Sequence, residues 1–386
     1  MIKVKKNTVL QQHLLGIAIL VAFLLPHSST LFLLMNPILC LLMVAMNRNR
    51  LWSSYVMIVV VPIVVSMMFN MGVASQKAFM STFTILLYFS LFPFVGQSRV
   101  RNIYLYICLG YIFISQLVYL LGIPFLTSFF DQFYPVSEDY MESDEYKRNN
   151  ITYLTMFDYR LGGLYHNSNQ CSKYLTALLA FFLVNNQGQR GKGVIGFLAI
   201  AYAGVLLTGS RTGFVISSLI LYFGFLRQKR YAGNVRYLFI ALGVIGIGYI
   251  LSTGSSLRGL DIESGFENSA NSKWDTFLYY LSTENSIISL LFGHIDVSLF
   301  EGQYGLAMGN FDSEYGSLFY RFGAVGFIGI LYFYWATFLR LEKEKRFFFI
   351  YLVWMVSSTI VASYRTFFVF MLLLSVIYAN YRKKIT

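Results

Sequence analysis

Charge is scarce in this sequence: Asp, Glu, Lys and Arg together make up 12% of 386 residues, against 56% hydrophobic and 18% aromatic. A water-soluble fold of that length would have too little polar surface to cover itself, so a soluble globular protein is excluded. Cysteine is nearly absent, and Cys40, Cys108 and Cys171 fall into no paired framework, so no disulfide is expected. No nucleotide-binding glycine loop, HExxH or CxxC occurs, which removes the usual signatures of ATP-driven transport and of metal hydrolysis. Neither a metal nor a cofactor is implied. The chain also lacks internal repeats, a low-complexity tail and a separate soluble domain, and 1–386 reads as one polytopic membrane domain.

What is abundant is apolar run. Stretches long enough to cross a hydrocarbon core of roughly 30 Å recur along the whole chain, and lipid offers no partner for unpaired backbone, so the expected fold is an all-α helical bundle. Hydropathy and loop charge give about twelve transmembrane helices, roughly at 9–25, 29–46, 51–69, 79–96, 103–122, 169–186, 193–209, 212–226, 236–252, 316–339, 347–362 and 366–380. The N-terminal "MIKVKKNTVLQQHLLGIAILVAFLLP" has a basic start but no small-residue cleavage pattern after it, and reads as the first span.

The net charge of +12 is distributed as a topology signal, and nucleic acid is not an expected partner. Basic breaks recur at "KVKK", "RNR", "RVR", "RGK", "RQKR", "RLEKEKR" and "YRKK", while of 18 acidic residues all but Glu342 and Glu344 fall on the other side. Cytoplasmic loops carry the Lys and Arg excess, so both termini are expected in the cytoplasm of a multi-pass cell-membrane protein. The same charges split 193–226 and 347–380 into tight hairpins, because both flanks of each pair are basic.

Two outer loops, 123–168 and 253–315, are too long to be connectors, and long structured loops usually carry function. The first holds the acidic, aromatic "DQFYPVSEDYMESDEYKRNN" and ends in "YRLGGLYHNSNQ"; the second holds "WDTFLYYLSTENSIISLLFG", apolar at helical spacing and suited to lying along the interface.

Arginines on the outer side run against the positive-inside trend: Arg160, Arg211, Arg258, Arg321 and Arg365. An ionisable residue at such depth is a functional hypothesis by default. Arg211 is the only charge between Gly193 and Leu226. It either snorkels to the interface from a hairpin tip or, in "TGSR" beside Ser210, sets a fork of donors next to backbone amides at a helix start, where phosphate oxygens bind. In "RLGGLYHNSNQ", Gly162 and Gly163 make a turn, Ser168 or Asn169 caps the next helix, and Arg160, His166, Asn167 and Asn169 stand at its mouth. In "GNFDSEYGSLFYRFGAVGFIG", Glu314 and Arg321 share a helix face, Gly323, Gly326 and Gly329 repeat every three residues for close packing, and Asp312 and Glu314 are the carboxylates best placed as general base, with His294 as rival.

Together these stretches resemble the bacterial O-antigen ligase and polymerase superfamily, and within it the Wzy type that polymerises O-antigen, capsule or exopolysaccharide repeat units. The resemblance rests on "GLYHNSN" (Gly163 to Asn169), "TGSR" (Thr208 to Arg211), then Trp274, Gly293, Asp312, Ser313, Tyr315 and Gly323 in order, covering about residues 155–335. "HIDV" departs from relatives that have a second glycine after "LFG", and the ligase-type histidine has no secure counterpart, which favours the polymerase branch.

The resemblance implies a GT-C-like membrane glycosyltransferase. Its donor and acceptor would be glycans on undecaprenyl diphosphate in the membrane lipid, joined at the outer face by metal-independent inverting transfer. A flippase and a chain-length regulator would be partners in the cell envelope. On that footing Arg211, Asp312, Glu314, Arg321 and His166 are the candidate catalytic residues, and Arg160, Asn167, Asn169, Ser210, Arg258, Tyr315 and Arg365 the candidate substrate-binding ones. The rival functions are a lipid-linked oligosaccharide flippase, a ligase-type glycan transferase and a non-catalytic scaffold of envelope assembly.

Overall fold

Helices account for nearly all the regular structure in the computed structural model of the chain, and no strand occurs among the described residues. Those residues are 2–25, 54–95, 100–134, 161–165, 168–186, 192–226, 275–296, 314–340 and 367–373, with isolated positions in 35–42 and 237–244. The helices in chain order are α1 (Ile2–Leu24), α2 (Ser54–Phe69), α3 (Gln76–Val95), α4 (Asn102–Leu121), α5 (Pro124–Phe133), α6 (Ser168–Asn185), α7 (Lys192–Leu207), α8 (Arg211–Leu221), α9 (Ile287–Phe292) and α10 (Glu314–Arg340). A 3-10 turn covers Gly163–Tyr165, a π-helical turn Tyr222–Leu226 extends α8, and 275–283 and 367–373 are also helical.

Among the described residues two helices, α4 and the Glu314–Ala336 part of α10, are long and apolar enough to cross a membrane. Others are apolar but short: α2 and α7 have 16 residues and α8 has 11, below the roughly 20 that a perpendicular crossing needs. The expected spans 29–46, 236–252 and 347–362 lie largely or wholly outside the described residues.

The chain divides into two compact units, one of Met1–Asn36 with Ser98–Asp261, the other of Pro37–Gln97 with Ile262–Thr386. In the first, α4 packs on α1, α6 and α7, and α6 on α8. Its core is made of side chains such as Phe23, Phe181, Phe182 and Phe197, with Phe182 and Phe197 stacked at 3.7 Å. In the second, α2 packs on α3 and α10, and α9 on α10. Gly329 permits the second packing, since a Cβ there would lie 2.7 Å from the Ile58 carbonyl oxygen of α2. Apolar side chains also cover the outside: Ile107, Ile114 and Leu121 on α4 and Met57, Val61 and Met68 on α2 are exposed, a pattern that only lipid or another protein makes tolerable.

The stretch 193–226 is interrupted as loop charge required, with α7 ending at Leu207 and α8 starting at Arg211. The stretch 316–339 is interrupted where no break was expected: Gly323 has φ 63° and ψ −174° and kinks α10. The long loop 123–168 opens with a helix, α5, and the expected interfacial stretch of 253–315 carries 275–283 and α9.

Candidate functional site

In the second unit the polar residues gather where the end of α2, the start of α3, the segment 284–296 and the first two turns of α10 meet. The meeting is main chain on main chain. A Cβ on Gly293 would lie 2.5 Å from the Arg321 carbonyl carbon and the Phe322 nitrogen, and one on Gly323 would collide with the Leu291 carbonyl. Both glycines adopt positive φ, 73° and 63°, with ψ near 180°, a region only glycine enters cheaply. The contact is pinned by the His294 N–H donating to the Tyr320 carbonyl at 2.7 Å. Asn70 at the end of α2 donates through Nδ2 to the Ser66 carbonyl at 2.8 Å and the Gly293 carbonyl at 3.0 Å, and Ser66 Oγ donates to the Arg321 carbonyl at 3.2 Å.

Into this frame projects the guanidinium of Arg321, a residue only 5% exposed. Its Nε donates to the Ile295 carbonyl and its Nη2 to Ser81 Oγ, both at 3.4 Å, and the carboxylates of Glu314 and Asp296 act on it electrostatically. Both acids are buried. A buried cation needs such company, because an unpaired one is costly to desolvate. Asp296 is itself held: its Oδ2 accepts the Ser75 N–H at 2.6 Å, just ahead of α3, where Ser75 Oγ accepts from the Ala78 N–H at 3.3 Å. A carboxylate at a helix N-terminus is favoured by the unpaired amides there.

Beside this cluster His294 Nε2 donates to Glu284 Oε2 at 2.8 Å, with side chains 17% and 6% exposed. Glu284 Oε1 accepts the Ser286 N–H at 2.9 Å, which fixes the carboxylate, and the Tyr320 ring lies 5.2 Å from the imidazole. A histidine oriented by a carboxylate and still reachable is the arrangement that proton transfer requires. No group of three or more His, Cys, Asp or Glu that could hold a metal occurs among the described residues.

The first unit has a different polar end. Between α7 and α8, Thr208 Oγ1 donates to the Val205 carbonyl at 2.6 Å and accepts the Ser210 N–H at 3.2 Å, Gly209 turns the chain, and Ser210 Oγ caps α8 by accepting the Gly213 N–H at 3.3 Å. Arg211 is the first residue of α8, so "TGSR" does begin a helix, but one of the amides expected for an anion is taken by the cap. The Leu161 N–H donates to the Leu207 carbonyl at 3.0 Å, bringing the chain just before "GLYHNSN" to this turn. Gln116 of α4 ties the same place: its Nε2 donates to the Leu161 carbonyl at 3.2 Å and the Gly204 carbonyl at 3.0 Å, and lies 3.5 Å from Cys171 Sγ. Cys108 and Cys171 are both free thiols. Tyr165 stacks on Tyr174 at 4.5 Å and donates to the Phe23 carbonyl at 2.7 Å; burial pushes its phenol well above the ordinary range, so it keeps that proton.

The residues singled out from sequence therefore fall into two groups. Glu314, Tyr315 and Arg321 lie in the second unit together with His294, and Tyr315 is half-buried with its ring 6.2 Å from Phe327. Asn169, exposed in the first turn of α6, and Ser210 lie in the first unit, as does the backbone of Arg211. The Arg211 side chain and Arg160, His166, Asn167, Arg258, Asp312 and Arg365 lie outside the described residues. Arg321 differs from expectation in being buried and hydrogen-bonded within the fold. Asp296 and Glu284 were missed. Asp296 lies in "HIDV", which drew attention only as a departure, and Glu284 is ten residues from His294 in a polar "STENS" with no periodic signal. No protein-family model matches the chain, and no curated protein matches it.

Proposed function

We propose that the chain is a multi-pass membrane glycosyltransferase of about twelve helices, GT-C-like, with both termini cytoplasmic, which polymerises lipid-linked oligosaccharide repeat units at the outer face of the cell membrane. The observation that carries this reading is the second unit's ionisable cluster: Arg321 between Glu314 and Asp296, with the Glu284 and His294 pair beside it, collected at helix ends. A carrier needs its charges near the bilayer midplane. A transferase working on head groups needs them near a membrane surface, a reading that the cluster's place at helix ends supports.

In the reaction a sugar hydroxyl of the acceptor attacks the anomeric carbon of the donor. The new glycosidic bond forms as the bond from that carbon to the diphosphate breaks, and undecaprenyl diphosphate leaves with the electron pair. The lipid diphosphate is already activated, so no nucleotide is consumed. His294, held by Glu284, takes the hydroxyl proton. Glu314, fully buried on the same helix as Arg321, orients the guanidinium. From the resemblance alone, Arg211 is the candidate to hold the diphosphate, whose oxygens a planar fork of donors fits. Fixed positive charge where negative charge develops is the largest contribution such a site makes.

The test is direct. Purified protein given an undecaprenyl-diphosphate-linked repeat unit, without nucleotide, should form a ladder of longer glycans that a Glu284→Gln, His294→Ala double variant does not form. A folded preparation that makes no ladder but moves the lipid between leaflets would overturn the proposal in favour of a flippase.

A further inference from the structure

The peptide unit between Gly293 and His294 is held at both ends. Its N–H donates to the Tyr320 carbonyl at 2.7 Å, and its carbonyl accepts from Asn70 Nδ2 at 3.0 Å. A peptide is planar, so fixing its oxygen and its nitrogen fixes the plane from which the His294 side chain departs. That side chain is then held at its tip, where Nε2 meets Glu284 Oε2 at 2.8 Å, and along its ring, with Tyr320 at 5.2 Å and Tyr280 at 6.4 Å. Tyr320 thus acts twice, through its carbonyl and through its ring.

Asn70 is well fixed for the part it takes. It follows the last residue of α2, its N–H donates to the Ser66 carbonyl at 3.1 Å, and its carbonyl accepts the Val73 and Ala74 N–H groups at 3.2 and 3.1 Å. Its side chain is buried. One Nδ2 proton returns to the Ser66 carbonyl at 2.8 Å, and the other crosses to Gly293, 223 positions along the chain. Both partners are carbonyls, which only accept, so the amide stands with its nitrogen toward them. The first bond closes the end of α2; the second serves only the segment that carries His294.

The Glu284 carboxylate accepts, so Nε2 carries a proton, and in the neutral imidazole the lone pair then lies on Nδ1. Among the described residues no hydrogen bond reaches Nδ1. We infer that Asn70 is a positioning residue for the proposed transfer, clamping the Gly293–His294 peptide so that the imidazole presents Nδ1 to the acceptor hydroxyl. The inference rests on the reading of His294 as the group that takes that proton. As the hydroxyl oxygen bonds to the anomeric carbon, its proton passes to the Nδ1 lone pair, and the imidazolium keeps its Nε2–H on the Glu284 carboxylate, which balances the charge. Misplacing a reacting group by about 1 Å is enough to cost about a hundredfold in rate.

Asn70→Ser separates the two bonds. A serine hydroxyl can return to the carbonyl four residues back, at Ser66, and so close α2, but is too short to reach Gly293; Asn70→Ala loses both. Full-length protein with 15N-labelled histidine is studied by NMR in detergent, His294 is assigned by the loss of its signals in His294→Gln, and His13, in the other unit, is the reference. In its neutral form wild-type His294 should show a protonated Nε2 and a bare Nδ1. In Asn70→Ser and Asn70→Ala the ring leaves Glu284 part of the time, so both nitrogens should average between tautomers while His13 keeps its shifts. Ladder formation from the lipid-linked repeat unit, per folded protein, should fall about tenfold or more in kcat, with KM within about twofold of wild type. Unchanged His294 shifts or an unchanged kcat in Asn70→Ser would overturn the inference, as would a wild-type proton on Nδ1. Shifts that move as expected in a protein that makes no ladder would leave the clamp in place and overturn the transferase reading with its catalytic use.

Discussion

Gly293→Ala is the perturbation with the most clearly worked consequence. Its φ of 73° and ψ of −177° lie in a region that costs a residue with a Cβ about 1–3 kcal/mol. The added carbon would also lie 2.5 Å from main-chain atoms of Arg321, Phe322 and Gly323, and no rotamer change relieves a clash with backbone. Overpacking of that kind costs about 1–3 kcal/mol. Separation of the two strands of chain would break the His294 N–H bond to the Tyr320 carbonyl, worth about 1 kcal/mol. The sum, about 3–7 kcal/mol, is comparable with the whole stability of an ordinary domain. Gly110 is the matched control: it sits in α4, nothing lies within 4 Å of its added Cβ, and Ala there is expected to be neutral or stabilising by about 0.5–1 kcal/mol. The assay is the fraction of monodisperse protein in detergent after a temperature series, for wild type, Gly110→Ala, Gly293→Ala, Gly323→Ala and the last two combined. Because both glycines guard one contact, the double variant should lose less than the sum of the single losses. A Gly293→Ala protein as heat-resistant as wild type, or strictly additive losses, would refute the close approach.

Arg321→Ala leaves Glu314 and Asp296 buried without a cation, which should cost about 3–5 kcal/mol; the triple change Arg321→Ala, Glu314→Gln, Asp296→Asn should recover most of the lost thermal stability but no polymerase activity. Arg211→Lys keeps the charge and loses the planar fork, so insertion and yield should match wild type while glycan ladder formation falls at least tenfold, about 1.4 kcal/mol; equal activity would return Arg211 to an interfacial anchor.

The positions of the apolar helices could be read closely from hydropathy. The expectation of 103–122 met α4 at Asn102–Leu121, 169–186 met α6 at Ser168–Asn185, and the break between α7 and α8 followed from the basic residues flanking the pair. Long apolar segments declare themselves because lipid leaves the backbone no alternative to a helix. What escaped is whatever depends on contacts far apart in sequence. The kink at Gly323 has its reason in Leu291 and Gly293, thirty residues earlier, and within "YRFGAVGFIG" the three-residue glycine spacing suggested only helix packing. The buried setting of Arg321 depends on Ser81 and Asp296, and no window of sequence contains all three. α5 did leave a local sign, a Gly and then a Pro around one residue in "LGIPF", the stop and start signals of consecutive helices.

The Gln116 carboxamide has a consequence for the order in which the first unit can be made. Its partners lie 45, 55 and 88 positions further along the chain, at Leu161, Cys171 and Gly204. On the proposed multi-pass reading, α4 waits in the bilayer with that amide unmatched until α6 and α7 have followed, and an unmatched amide in hydrocarbon is costly. On that reading this end of the unit closes late and in one step, when the last of the helices that meet there has been synthesised.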